Sequence, residues 1–195
     1  MKLSTAIKIE NKINSLEKEI FEKKRLLAEL KRNQPRDEVT DYLLTNSEGE
    51  IVRLSEMFGC HDELMVIHNM GKDCPYCTLW ADGFNGIVHH LENRAGFALV
   101  SPDRPETVKE FASRRNWRFK LYSGKGSDFI RDMGFEDEKG DYWPGVSSFI
   151  KENGRIYRAA RDFFGPHDNY CSAWHLFDLL PRGAGDWQPK FEYQA

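Results

Sequence analysis

Apolar residues across 1–36 fall on a stripe of alternating four- and three-residue steps: Ile9, Ile13, Leu16, Ile20, Leu27 and Leu30. Lys23 interrupts the stripe, Phe21 and Leu26 widen it, and dense Lys and Glu lie between. The spacing predicts one long amphipathic helix ended by the loop Asn33-Gln34-Pro35. After it the period changes. Val39 to Leu44 and Glu50 to Leu54 read as strands around Thr45-Asn46-Ser47-Glu48-Gly49, a hairpin signal. Leu54 to Phe58 reads as a short helical turn. The run Leu64-Met65-Val66-Ile67 has strand length, and Leu79, Phe84, Ile87, Val88 and Leu91 then recur at helical spacing. Ala95 to Val100 is a buried strand stopped by Ser101-Pro102-Asp103. Pro105 opens a helix to about Asn116, with Val108, Phe111 and Ala112 on its apolar side.

The C-terminal part follows the same logic. Phe119 to Tyr122 is a short extended piece, Ser127 to Met133 a short helix and Glu136 to Tyr142 a polar loop. Val146 to Ile150 and Arg155 to Ala160 form a hairpin around Lys151-Glu152-Asn153-Gly154. Trp174 to Leu180 is a closing helix stopped by Pro181, and Gly183 to Ala195 reads as a loosely held tail. Strands alternating with helices predict an α/β sheet, and the closing hairpin makes it mixed. The expected organisation is a helical arm over 1–36, one α/β domain over 37–182 and a tail over 183–195.

Composition narrows the classes. At 195 residues with 40% hydrophobic content, the chain can bury a sizeable core without staples. The net charge of −3 argues against a nucleic-acid partner. Residues 1–36 carry ten Lys or Arg against five Glu, a local +5 that leaves −8 elsewhere. The interleaved Glu residues dilute that basic field. The arm either lies against its own domain or serves as a homodimer contact. No apolar signal core opens the sequence and no apolar run reaches membrane length, so a cytoplasmic location without membrane attachment is expected. Four cysteines are too few for a secreted disulfide scaffold.

Chemistry concentrates at Cys74-Pro75-Tyr76-Cys77, placed after a strand and a Gly71-Lys72-Asp73 loop and before a helix. In that context Cys-x-x-Cys reads as a redox dithiol. Proline suits the first helical position, where its missing N–H is not needed, so Pro75 marks Cys74 as the N-cap. A thiolate there faces unpaired N–H groups and the positive helix end, which lowers its pKa from about 8.5. Cys77 lies one turn on. The natural assignment is Cys74 as exposed attacking thiolate and Cys77 as the more buried resolving thiol. A zinc site would need a second pair. Cys60-His61 and Cys171 with His175 are available but do not repeat the knuckle, so neither metal nor cofactor is expected. The substrate class is a protein or small-molecule thiol or disulfide.

Other residues invite supporting roles, each with a plainer reading beside it. Asp82 could accept a proton from Cys77, or be a solvated helix residue. His68 reads as a partnered core histidine ahead of a catalytic one. Cys171 reads as a buried inert thiol ahead of a resolving one. Trp143 could line a substrate groove or pack in the core.

The derived order resembles the thioredoxin-like superfamily, in its peroxiredoxin-like branch. A narrower pattern, Cys-Pro-x-Cys-x-x-Trp-Ala-Asp-x-Phe from Cys74 to Phe84, resembles a bacterial family of uncharacterised thioredoxin-like proteins. So do Asn116-Trp117-Arg118-Phe119, Ser123 to Phe129 and Trp174 to Gly183. The resemblance implies a thioredoxin-like mixed sheet flanked by helices, with an N-terminal hairpin and a long N-terminal helix. Pro75, Tyr76, Trp80, Asp82, Trp143 and Ser147 are the residues expected to line the substrate groove or support the dithiol. Two departures are visible. Thioredoxins place a cis-proline before the strand facing the dithiol, where this chain has Val146-Ser147-Ser148, with Pro144 upstream. Peroxiredoxins place a threonine three residues before the peroxidatic cysteine, where this chain has Cys74 if Cys77 is the equivalent. The expectation is a thiol–disulfide oxidoreductase. The alternatives are a peroxiredoxin-like thiol peroxidase and a non-catalytic binding or redox-sensing module.

Overall fold

The computed structural model describes residues 2–194. The chain divides into two compact units, one ending at Arg36 and the other starting at Asp37. The first is a single helix, α1 (Lys2–Asn33). Its apolar stripe is exposed.

The second unit begins with β1 (Asp37–Val39), β2 (Leu43–Asn46), β3 (Ile51–Arg53) and α2 (Leu54–Met57). It continues with β4 (Glu63–His68), α3 (Pro75–Arg94), β5 (Gly96–Ser101), α4 (Pro105–Arg115) and β6 (Lys120–Ser123). It ends with α5 (Phe129–Asp132), β7 (Gly145–Glu152), β8 (Arg155–Phe163) and α6 (Ser172–Phe177). Among the described residues, eight strands make one mixed sheet in the order β1-β8-β7-β4-β5-β6-β2-β3. β4 is central, parallel to β5 and antiparallel to β7. β5 is buried along its whole length, as a continuous apolar run in a parallel sheet covered on both faces should be.

Side-chain alternation divides the core into two layers. Ile67, Phe97 and Leu99 face a layer with Ala81, Phe84 and Val88 of α3 and Val108 and Ala112 of α4. Leu64, Val66, Ala98 and Val100 face the opposite layer, with Leu54 and Met57 of α2 and Phe129 and Ile130 of α5. The β7–β8 hairpin turns through Asn153 at φ 52° and Gly154 at φ 76°, the left-handed pair that an Asn-Gly turn of type I′ requires.

Two expectations are corrected. Val39 to Leu44 is not one strand. β1 pairs with β8 at one edge, whereas β2 pairs with β3 and β6 towards the other. The break has a local cause. Asp41 accepts from the Ser55 backbone N–H (2.8 Å) and hydroxyl (2.9 Å), and Tyr42 N–H turns back to Thr40 O. Such side-chain bonds compete with the ladder. The tail beyond Gly183 is not loose either. Trp187 packs on Phe177 (4.8 Å between ring centres) and Trp174 (5.6 Å), and Arg115 Nη1 donates to the Phe191 carbonyl at 2.7 Å.

Candidate active site

The loop from β4 to α3 is shaped by the backbone and by two acidic or amide side chains. Gly71 sits at φ 106°, a left-handed value that favours glycine. Its N–H donates to Asn69 Oδ1 at 2.6 Å, and the next N–H, of Lys72, donates to Asp103 Oδ2 at 2.7 Å. The Ser101 hydroxyl holds Asp103 from β5 at 3.0 Å. The chain therefore reaches α3 on a fixed path.

α3 starts as the Cys-Pro order predicts. Cys74 is the N-cap, and Pro75 occupies the first turn. Cys77 N–H donates to Cys74 Sγ at 3.0 Å, and Met70 N–H donates to Cys77 Sγ at 3.4 Å. Thr78 donates to the Cys74 carbonyl through both its N–H (3.1 Å) and its hydroxyl (3.0 Å). All four cysteines carry free thiols.

The two sulfurs are electrostatically unlike. A hydrogen bond from the Cys77 thiol draws the Cys74 pKa down to about 7 against the opposing effect of burial. The backbone N–H groups of Cys77 and Tyr76 add to the lowering. Cys77 moves the other way: its proton is held by the Cys74 sulfur, and burial reinforces the rise. The proton thus stays on the deeper sulfur while the N-cap sulfur ionises.

One expectation about Cys74 is corrected. It is only 8% exposed rather than presented openly to solvent. It belongs to an apolar cluster that includes Ile67, Trp80, Phe164, Cys171 and Trp174. Tyr76 packs 6.2 Å from Trp80 and 6.3 Å from Trp174 between ring centres. Beside Tyr76 lies a cavity of about 280 Å³, lined also by Pro166, His167, Trp174 and Trp187. Among the described residues, the buried indole N–H groups of Trp80 and Trp174 have no hydrogen-bond partner.

The remaining sequence candidates are placed as follows. Asp82 accepts from Trp117 Nε1 at 2.8 Å and from Arg115, both through Nε at 3.2 Å and through Nη2. Its carboxylate ties α3 to α4 and the segment after it, so it is not available as a base for Cys77. Trp143 is 51% exposed and belongs to neither core layer, which removes the core-packing reading of it. Ser147 is fully buried and shares a 3.0 Å hydrogen bond with His68 Nε2. His68 stacks on Phe135 at 3.8 Å, and burial holds its pKa down to about 3. It is a neutral core histidine. Cys171 is buried, and burial raises its thiol pKa. Among the described residues, no three His, Cys, Asp or Glu side chains gather to hold a metal, and no helix is long and apolar enough to cross a membrane. No peptide bond among them is cis.

Sequence reasoning missed Asn69, Met70 and Asp103. Ser101-Pro102-Asp103 signalled only the end of a strand. Its part in clamping the dithiol loop depends on β5 lying beside β4, a non-local fact.

A family model described as "Bacterial protein of unknown function (DUF899)" matches residues 8–193. No curated protein matches the chain. Among solved structures, it is similar to a peroxiredoxin-like protein from Aquifex aeolicus, with 22% identity and a TM-score of 0.50 over 66% of this chain and 74% of that one. It is also similar to a peroxidoxin from Mycobacterium tuberculosis, with 22% identity and a TM-score of 0.48 over 66% and 80% of the two chains. The fold is thioredoxin-like: a mixed sheet flanked by helices, with an N-terminal hairpin and a long N-terminal helix.

Proposed function

We propose that this chain, which belongs to the DUF899 family of bacterial proteins, is a thiol–disulfide oxidoreductase that cycles Cys74 and Cys77. The observation that carries the reading is the 3.0 Å hydrogen bond from Cys77 N–H to Cys74 Sγ at the tip of a 20-residue helix. That bond and the helix end favour a thiolate at Cys74.

The Cys74 thiolate attacks one sulfur of a substrate disulfide. A mixed disulfide forms and the other substrate sulfur leaves as a thiolate. Cys77 then loses its proton to that leaving thiolate or to water. Its sulfur attacks Cys74 Sγ, closing the 74–77 disulfide and releasing the second substrate thiol. Two electrons pass from the dithiol to the substrate, and a small thiol or protein dithiol returns them. Run in reverse, the same steps oxidise a substrate dithiol.

A redox titration read by mass spectrometry tests this. A 74–77 disulfide should form within the range of about −270 to −120 mV spanned by Cys-x-x-Cys proteins. Cys74→Ser should abolish disulfide reduction. A chain in which no such bridge forms across that range overturns the proposal. Rapid peroxide consumption that survives Cys77→Ala would replace it with sulfenate chemistry at Cys74.

A further inference from the structure

α1 carries an apolar seam that is exposed. Ile9, Ile13, Leu16, Ile20, Leu27 and Leu30 are each between 47% and 59% exposed. Their steps of four and three define a heptad, written a to g, with Ile13, Ile20 and Leu27 at a and Ile9, Leu16 and Leu30 at d. A period of 3.5 keeps one side of a helix against another helix over its whole length, which an unrelated surface does not require. Ile9 to Leu30 covers roughly 32 Å at 1.5 Å per residue.

We propose that the occupant of this seam is α1 of a second copy of the chain, in a parallel two-stranded coiled coil. Two observations select it. β-branched residues at a with leucine at d favour two parallel strands, and the chain has isoleucine at two of the three apolar a positions (Ile13 and Ile20, with Leu27 the third) and leucine at two of the three apolar d positions (Leu16 and Leu30, with Ile9 the third). The flanking charges are also self-complementary. In a parallel pair each g position faces the next e position of the partner helix. Lys12 then meets Glu17 of the second copy, and Glu19 meets Lys24, so both pairs attract. The excess positive charge does not oppose the contact, because Lys18, Arg25 and Arg32 occupy f positions on the far side. Lys23 is the one charge on the seam itself, and it pairs along its own helix with Glu19 at 3.6 Å. An antiparallel pair would set Glu10 against Lys31 and Glu17 against Lys24, which also attract, so charge alone selects the partner's sequence and the a/d residues select its direction.

The seam has about three heptads, near the lower limit for a coiled coil, so the dimer is concentration-dependent. Sedimentation equilibrium of the full chain, from low to several hundred micromolar, should show a monomer–dimer equilibrium. Ile20→Asp should give a monomer throughout, with an unchanged alkylation profile at Cys74 showing that the second unit is still folded. Lys12→Glu alone and Glu17→Lys alone should each weaken the dimer by about fivefold or more, since each makes two like-charge contacts. The double variant should restore it. A monomer at every concentration, or a dimer unaffected by Ile20→Asp, overturns the proposal. A silent Lys12→Glu, with a Glu17→Lys loss that the double variant does not rescue, overturns the parallel arrangement.

Discussion

Removing the Cys77 side chain should raise the pKa of Cys74, and the size of the rise follows from the contacts. The Cys77 thiol is the largest influence pulling Cys74 down to about 7, ahead of the backbone N–H groups of Cys77 and Tyr76. Cys77→Ala deletes the thiol donor and leaves the 3.0 Å backbone bond in place. A hydrogen bond to a charged group contributes about 1.5–3 kcal/mol, and one pKa unit corresponds to about 1.4 kcal/mol. The Cys74 midpoint should therefore rise by roughly one to two units. Cys77→Ser keeps a donor at the same place and should move it less. The assay is the rate of iodoacetamide alkylation at Cys74 against pH, with the site assigned by mass spectrometry. A midpoint near 7 in the parent protein corresponds to about half thiolate at pH 7, against about 3% for a thiol at 8.5. A parent midpoint at or above 8.5 would refute the N-cap argument outright. Equal midpoints in the parent and Cys77→Ala would refute the division of roles between the sulfurs.

Three further outcomes follow from other contacts. Gly71→Ala forces a Cβ onto a backbone at φ 106° and 3.2 Å from Asp103 Oδ2; urea unfolding should show a loss of about 1–3 kcal/mol. His68 stays neutral in the fold down to about pH 3, while the unfolded chain binds that proton below about 6.5. Stability should therefore fall on acidification from pH 6.5 towards 3, by about 1.4 kcal/mol per unit from this group alone; equal stability at pH 7 and 5 in urea titrations would contradict it. Trp187→Ala removes a ring that packs on Trp174 and Phe177, and should speed Cys74 alkylation at a pH where the thiolate fraction is matched; an unchanged rate would show that the aromatic cover does not limit access.

How far the sequence carries depends on the range of the forces involved. The N-cap of α3 is local: Cys74, Pro75 and the following apolar period specify it within a single turn. The Asn153-Gly154 hairpin is local in the same sense. The division of residues 37–46 between opposite edges of the sheet is not, because it depends on Asp41 finding Ser55 and on β8 lying free to receive β1. The tail failed for a similar reason. Trp187 and Phe191 look like stray aromatics until α6 and α4 supply Phe177, Trp174 and Phe111 as neighbours. Asp82 misled because its place on the dithiol helix is local information, whereas its partners Arg115 and Trp117 come from the next crossover.

The burial of Cys74 changes what its low pKa means. Solvent exposure cannot be the source of the stabilisation, because the residue is 8% exposed and burial acts to raise the pKa. The charge is held by donors fixed in the fold: the Cys77 thiol and the N–H groups at the start of α3. An ion held by preset dipoles rather than by water keeps its low pKa when a substrate excludes the remaining solvent. Reactivity and access then become separate variables. The first is set by α3 and the loop clamped by Asn69 and Asp103. We expect the second to be set by Trp174 and Trp187, which pack on each other, with Trp174 also packing on Tyr76. Substitutions in the aromatic cover should change the alkylation rate at a fixed thiolate fraction, whereas substitutions at Cys77 should change the midpoint. A variant such as Trp187→Ala that moved the midpoint by a full unit while leaving the plateau rate alone would collapse the two variables into one.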